Sequence, residues 1–220
     1  MSAEHPRHPI LNALYWRYMT DEDSATFVKS ISQQYTLGTL ERLAQHGSRV
    51  TRRAAVLSLG FLGGYESNPV LGRALRDIDR RVRLFADTGI RTIWCRIGNA
   101  AQRRQLRTII RLNESRRHQE AIEKAGHLVR QAPWFAEAWN QRAIAYFNLD
   151  RLDESIRDCR QAIELNPYHF AAAAGMGQCH LKHNAPVAAL ESFRRAIELN
   201  PSLEGVRAQI DQLQLTRGGK

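Results

Sequence analysis

The feature that most constrains this chain is a period of thirty-four residues in its C-terminal half. The segment RQAIELNP at 160–167 recurs as RRAIELNP at 194–201, with seven of eight letters unchanged. One more step of the same length brings 102–135 into phase, so that Pro133 aligns with Pro167. A period of this size is typical of repeat proteins, in which each unit covers the apolar face of its neighbour. The sequence therefore predicts three stacked units.

Each unit has the pattern of two helices joined by a short turn. In the middle unit, Trp139, Ala143 and Tyr146 have helical spacing, which predicts one apolar helix face. Small residues such as Ala143 allow two helices to approach closely. A second apolar stripe follows the break at residues 148–151, and we expect Asp150 with Asp153 to form a capping box at its start. Each unit is thus predicted to be a helical hairpin.

This pattern resembles the tetratricopeptide repeat (TPR) family over residues 102–215. The residues that carry the resemblance occupy the signature positions of the family in two units: Trp139, Ala143, Tyr146, Ser155, Ala162, Pro167, Gly177, Ala189, Phe193, Ala196 and Pro201. The unit at 102–135 is more divergent, with Ile109 where a small residue is expected. The resemblance implies an all-α fold, a right-handed α-α superhelix (solenoid) of helical hairpins. A final helix after Pro201 would cover the last repeat.

The N-terminal half has a different rhythm. Four residues at 52, 55, 59 and 62 recur thirty-one residues later in similar types, as in Arg52 and Arg83 or Leu59 and Ile90. Residues 36–98 therefore resemble HEAT-like repeats, and Asp79 is expected to begin a helix and to pair with Arg83. We expect both repeat types to form one continuous solenoid. The predicted domains are a tail and docking helix at 1–19, HEAT-like repeats at 20–101, three TPR units at 102–203, and a capping helix and tail at 204–220.

The TPR resemblance implies a concave groove lined by the first helix of each hairpin, where relatives bind protein or peptide partners. Glu137 lies on this face by the same resemblance. Family members that clamp a peptide carboxylate use basic and amide side chains in this groove, but here Ala171, Ala174 and Gly175 occupy most of those places. A clamp for chaperone tails is therefore not expected. The predicted partner-binding residues are Asn140, Ile144, Phe147, Asn148, Gln178, Leu181 and Lys182.

The net charge of +10 is concentrated in the N-terminal part of the chain. Residues 1–117 hold 20 basic against 10 acidic side chains, and the rest of the chain is balanced. Eleven arginines lie between Arg80 and Arg117. They indicate either a surface for nucleic acid or an acidic partner, or a genome-wide preference for arginine. The residues proposed for this basic face are Arg80, Arg81, Arg83, Arg91, Arg103, Arg104, Arg107 and Arg111.

No pattern in the sequence predicts catalysis. The three cysteines form no CxxC pair, and Cys179 with His180 and His183 lacks the further ligands of a metal site. No Gly-rich phosphate loop is present. No apolar run is long enough for membrane insertion, and the first residues lack the pattern of a signal peptide. We therefore expect a cytoplasmic, non-catalytic scaffold or adaptor without metal or cofactor, which binds a protein or peptide partner.

Overall fold

A computed structural model describes residues 10–218 of the protein, which form helices without a β-strand. The predicted all-α class is confirmed for these residues, whereas the tail at 1–9 lies outside them. No described helix is both long and apolar enough to cross a bilayer. The α-helices are α1 Ile10–Asp21, α2 Ser24–Gln34, α3 Leu37–His46, α4 Arg49–Leu62, α5 Asn68–Ala74, α6 Arg80–Arg96, α7 Ala100–Glu114, α8 His118–Gln131, α9 Ala136–Asn148, α10 Leu152–Leu165, α11 Phe170–Lys182, α12 Pro186–Leu199 and α13 Glu204–Gly218.

The chain divides into two compact units, Met1–Ile93 (unit 1) and Trp94–Lys220 (unit 2). The sequence pattern had placed the change of repeat type at about residue 101. The predicted domain bounds stay a prediction; helix α7 itself begins at Ala100, where Asn99 and Gln102 form a capping box.

Unit 1 is built around α4. Helix α1 packs against α2 and α4 and buries Leu11 and Tyr15 completely. The backbone N–H of Leu11 donates to the hydroxyl of Tyr35 at 3.0 Å, which fixes the start of α1. Burial of large apolar side chains is the main force that holds such a helix in place.

Two arginines of α4 bind the loop before α6. Arg52 contacts Asp77 at 2.7 and 2.9 Å, and Arg53 contacts Asp79 at 2.8 and 2.5 Å. The predicted pair of Asp79 with Arg83 is wrong, because Arg83 donates to the carbonyl oxygens of Asp77 and Ile78. Asp79 does begin α6 as expected, since it accepts two backbone N–H groups of the first turn. The resemblance to HEAT-like repeats stays a prediction.

Unit 2 contains three successive hairpins, α7/α8, α9/α10 and α11/α12, followed by α13. The period of the sequence recurs in the backbone, because Arg116, Asp150 and Asn184 have positive φ values of 59°, 62° and 55°. The predicted capping box of Asp150 is wrong for this reason: the residue forms the left-handed turn between helices. Arg151 is the N-cap residue of α10 and makes no side-chain capping bond.

Small residues allow the two helices of the hairpins α9/α10 and α11/α12 to meet, as predicted. A Cβ atom on Gly177 would overlap the ring of Phe193. In the preceding hairpin, the hydroxyl of Ser155 donates to the carbonyl of Ala143 at 2.8 Å, and both residues are buried. The close approach of the helices in these two hairpins therefore depends on the small size of these side chains.

Candidate functional site

Six of the predicted partner-binding residues occupy equivalent positions in two successive hairpins. Three lie on α9 and three on α11, and each α11 residue follows its α9 counterpart by thirty-four residues. The two helices are in contact. We call this surface the α9–α11 face. Its residues are Ile144, Phe147 and Asn148 on α9, and Gln178, Leu181 and Lys182 on α11.

The middle of the α9–α11 face is apolar and reaches the solvent. Ile144 is 38% exposed, and Phe147 and Leu181 are half-buried. Lys182 connects the two helices, because its Nζ lies 5.3 Å from the centre of the Phe147 ring and 2.7 Å from Asp150 Oδ1. The lysine charge is thus already paired within unit 2.

The amide side chains of this face differ in what they can offer to a partner. Asn148 donates its Nδ2 to the carbonyl oxygen of Ile144 at 2.8 Å. Gln178 is half-buried and forms no side-chain hydrogen bond within the described residues. Gln178 is therefore the amide with free donors and acceptors for a peptide backbone.

Asn140, the seventh predicted residue, does not lie on the exposed face. It is only 5% exposed, and its Nδ2 donates to Glu137 Oε1 at 3.2 Å. Glu137 is also buried, at 6% exposure, although the family resemblance implied that it faces a ligand. Both side chains form part of an internal hydrogen-bond network beneath the face.

The centre of this network is a buried carboxylate and histidine. Glu137 Oε2 lies 2.9 Å from His169 Nε2, and Glu137 Oε1 accepts from Gln141 at 2.7 Å. His169 Nδ1 accepts the backbone N–H of Ala172 at 3.1 Å, so the ring proton is on Nε2 and is donated to Glu137. His169 thereby caps α11 and ties it to α9. The indole of Trp94 stacks on the imidazole, with ring centres 4.2 Å apart and planes inclined by 18°.

The pKa of Glu137 results from two opposing effects. Burial raises the pKa, while hydrogen bonds from His169, Gln141 and Asn140 lower it, and the net direction is downward. The network extends to α7 through Asn113, whose Nδ2 donates to Gln141 at 2.9 and 3.0 Å. Sequence reasoning missed the role of His169. The sequence does contain a signal for this role. The equivalent positions of the neighbouring units hold the apolar residues Phe135 and Leu203, so a histidine at 169 departs from the repeat pattern.

The predicted basic residues of α7 form an exposed stripe. Arg104, Arg107 and Arg111 have spacing that places them along one side of the helix, and all three are exposed. The equivalent positions on α9 include Ala138 and Ala145, which are buried. The stripe thus lies on the side of α7 that corresponds to the side of α9 buried against the hairpin α7/α8. The guanidinium of Arg103 instead donates to the carbonyl oxygen of Gly98 at 2.5 Å.

The predicted basic residues of α6 also differ in their environment. Arg80 and Arg81 are exposed in the first turn. Arg83 binds backbone carbonyl groups, as described above, and Arg91 lies 3.1 Å from Asp87. Two of these four side chains are therefore used within the fold.

The cysteine and histidine residues that could suggest chemistry are placed as follows. Cys159 and Cys179 are buried, and burial raises the pKa of both thiols. Cys179 donates to Ser155 Oγ at 3.1 Å. His183 lies 3.0 Å from Asp153. Within the described residues, no three His, Cys, Asp or Glu side chains come together in a metal-binding group.

The hairpin α9/α10 can be assigned to a family. Residues 136–169 match the family model "Tetratricopeptide repeat". This hairpin is a TPR. The match covers Glu137, Asn140, Ile144, Phe147 and the N-cap residue of α11, so half of the α9–α11 face lies within an assigned TPR.

Curated relatives match about half of the chain. A TPR repeat-containing protein of Rhizobium etli is 23% identical over 56% of this chain and 61% of its own length. The small glutamine-rich tetratricopeptide repeat-containing protein of Dictyostelium discoideum is 32% identical over 46% of this chain and 30% of its own length. The chain thus spans less than two thirds of either relative.

Two solved structures share the fold. The first TPR of Spaghetti (RPAP3), bound to the HSP90 peptide SRMEEVD, superposes with a TM-score of 0.53 and 18% identity, over 56% of this chain and 97% of that chain. The first TPR domain of human RPAP3 gives a TM-score of 0.50 and 19% identity, over 52% of this chain and 91% of that chain. At 18% and 19% identity, this similarity is evidence for a shared fold alone.

Proposed function

We propose that this chain is a non-catalytic interaction scaffold that binds a peptide segment of a protein partner on the α9–α11 face. The observation that carries the proposal is the row of accessible apolar side chains, Ile144, Phe147 and Leu181, on the first helices of two successive hairpins. Apolar anchors beside a free amide such as Gln178 suit a peptide that buries side chains and hydrogen-bonds through its backbone.

The relatives suggest the kind of partner without identifying it. One solved neighbour holds an HSP90 peptide, and another matching protein is named Hsp70-Hsp90 organizing protein 1 of Glycine max. In this chain Ala171, Ala174 and Gly175 replace the polar side chains expected of a carboxylate clamp, and Lys182 is paired with Asp150. We therefore propose a partner segment that is mainly apolar rather than an acidic C-terminal tail.

A double substitution tests the α9–α11 face. Ile144→Glu with Phe147→Ala removes two apolar anchors and adds a charge, and we expect the partner recovered from native lysate to fall at least tenfold, because a central apolar anchor contributes about 2 kcal/mol or more. Recovery is measured by quantitative mass spectrometry with the wild-type chain as reference.

The matched control is Val187→Glu on α12, another apolar residue that is 52% exposed. It should leave recovery unchanged. Circular dichroism establishes that the variants keep their helical content. Equal recovery by the double variant and the wild type would contradict the proposal, as would tighter binding of the peptide SRMEEVD than of the recovered partner segment.

A second candidate function, binding of nucleic acid, is favoured by the exposed arginine stripe of α7. If the stripe follows a phosphate backbone, affinity for a twenty-nucleotide RNA or a DNA duplex should fall steeply with salt. Changing Arg104, Arg107 and Arg111 to glutamine should then reduce the slope of log K against log salt by about 2 to 3. Fluorescence anisotropy at several salt concentrations measures this slope, and a slope that is flat or unaffected by the substitutions excludes this candidate.

A further inference from the structure

We propose that unit 1 holds a second docking site, a groove that binds a short amphipathic helix carrying a basic residue. The groove has a volume of about 630 Å³ and lies between α4, α6 and the turn from α1 to α2. This volume is in the range of about 300–1,000 Å³ that is typical of ligand sites. Since every residue that lines it belongs to unit 1, the proposal does not depend on the α9–α11 face.

The walls of the groove are apolar and partly open to solvent. Phe61 on α4 and Phe85 on α6 are half-buried and both line the groove. At the rim, Met19 is 39% and Leu84 is 62% exposed. Large apolar side chains that are exposed together around a concavity indicate a surface that another molecule covers.

The floor is formed where α4 and α6 cross at close range. A Cβ atom added to Gly60 would lie 3.0 Å from the Cα of Gly89, and one added to Gly89 would lie 2.9 Å from the Cα of Gly60. Both glycines line the groove. The absence of side chains at this crossing allows the two helices to approach closely.

The length of the groove fits a helix of two turns. Leu84, Thr88 and Thr92 line it at intervals of four residues along α6. Eight residues of helix correspond to about 12 Å. A bound helix with apolar residues at positions i, i+4 and i+7 presents anchors over about 10 Å, which matches this length.

The charge of the groove defines the partner further. Glu22 is the one charged side chain among the described residues that line it. Its neighbours in the turn are already used: Asp21 lies 3.4 Å from Arg17, and Asp23 accepts the backbone N–H of Thr26 at 3.0 Å. Glu22 itself has no ion-pair partner in the described part of the chain, so a lysine or arginine at one end of the bound helix would complement it.

The test is a selection of helical peptides. A phage library of sixteen-residue alanine-based helices, randomised at three apolar positions (i, i+4, i+7) and at both flanks, is panned against the immobilised full chain. We expect enriched peptides to carry large apolar residues at the three positions and lysine or arginine at one flank. The affinity of a labelled enriched peptide is then measured by fluorescence anisotropy.

Variants of the groove locate the binding site. Thr88→Trp places a large side chain in the groove from an exposed position. It should lower the affinity for the enriched peptide at least tenfold. Glu22→Gln should weaken it about two- to fivefold, which corresponds to an exposed ion pair. Asp21→Asn in the same turn and the Ile144→Glu/Phe147→Ala variant of unit 2 are matched controls and should have no effect. Leu84→Glu is the second blocking variant if circular dichroism shows that Thr88→Trp misfolds.

Three outcomes would overturn the proposal. The first is that panning on the wild-type chain enriches no helical peptide relative to panning on Thr88→Trp or Leu84→Glu. The second is enrichment of acidic or uncharged flanks, which removes the proposed role of Glu22. The third is that the apolar dye ANS binds the wild-type chain but not Leu84→Glu, and that no peptide displaces the bound dye. This result would indicate a small-molecule site.

Discussion

Replacing Glu137 with alanine is expected to destabilise unit 2 by about 3–5 kcal/mol. The side chain is 6% exposed and accepts hydrogen bonds from His169, Asn140 and Gln141. Its removal leaves the buried donors of His169 and Asn140 without this acceptor and takes away the link between α9 and the start of α11. Urea unfolding followed by tryptophan fluorescence measures the effect, since three of the four tryptophans lie in unit 2.

Two further variants separate the network from a general effect of losing a charge. Glu164→Ala on α10 removes an exposed carboxylate and should change stability by no more than about 0.5 kcal/mol. Glu137→Gln keeps the shape of the side chain and one acceptor oxygen. Its loss of stability should therefore lie between those of Glu137→Ala and Glu164→Ala. A cost below about 1 kcal/mol for Glu137→Ala would show that the buried network contributes little.

The stability of unit 2 should also depend on pH in a way that reports the contribution of Glu137. Because the folded pKa of Glu137 is lowered, its contribution is fully present above the unfolded value of about 4.3. It is lost as pH falls through the folded pKa. The wild type should therefore lose more stability on acidification below about pH 4.3 than Glu137→Ala does, as measured by urea midpoints at several pH values.

The hairpins of unit 2 could be predicted because stacking repeats impose the same requirements at equal intervals. A helix that packs closely against two neighbours needs a small residue at the contact, and Ala143 and Gly177 meet this need thirty-four residues apart. Pro167 and Pro201 mark the ends of second helices in the same way. Repetition makes such signals readable even where a single copy is weak.

The errors arose where a spacing pattern competed with the conformation of a turn or with a contact between distant residues. Asp150 and Asp153 have the spacing of a capping box, yet the turn requires a left-handed residue at Asp150. Asn140 was placed on the surface by family position, but its neighbour Glu137 is hydrogen-bonded to His169, thirty-two residues away. No spacing rule predicts such a partner, because it depends on how successive hairpins pack.

The second large effect is expected in unit 1, where Asp79→Ala should cost about 3 kcal/mol. Sequence spacing suggested a pair with Arg83, which would be an ordinary helix-surface contact of a few tenths of a kcal/mol. The observed partner is Arg53 on α4, and side-chain exposures of 15% and 8% place the pair largely out of solvent. Asp79 also accepts two backbone N–H groups at the start of α6, so alanine removes a helix cap and leaves a guanidinium without its partner.

The location and pH dependence of this effect distinguish it from loss of an ordinary surface charge. The hydrogen bond from Arg53 holds the pKa of Asp79 well below its usual range, so the stabilisation is present above the unfolded value of about 3.9 and is lost at lower pH. Hydrogen exchange of α4 and the first turn of α6 should increase in Asp79→Ala at neutral pH and converge with the wild type in acid. Asp21→Ala, which breaks an exposed pair with Arg17, should leave both segments unchanged. Equal protection of α6 in Asp79→Ala and Asp21→Ala would mean that the loop before α6 is held by apolar packing and by the Arg52–Asp77 pair alone.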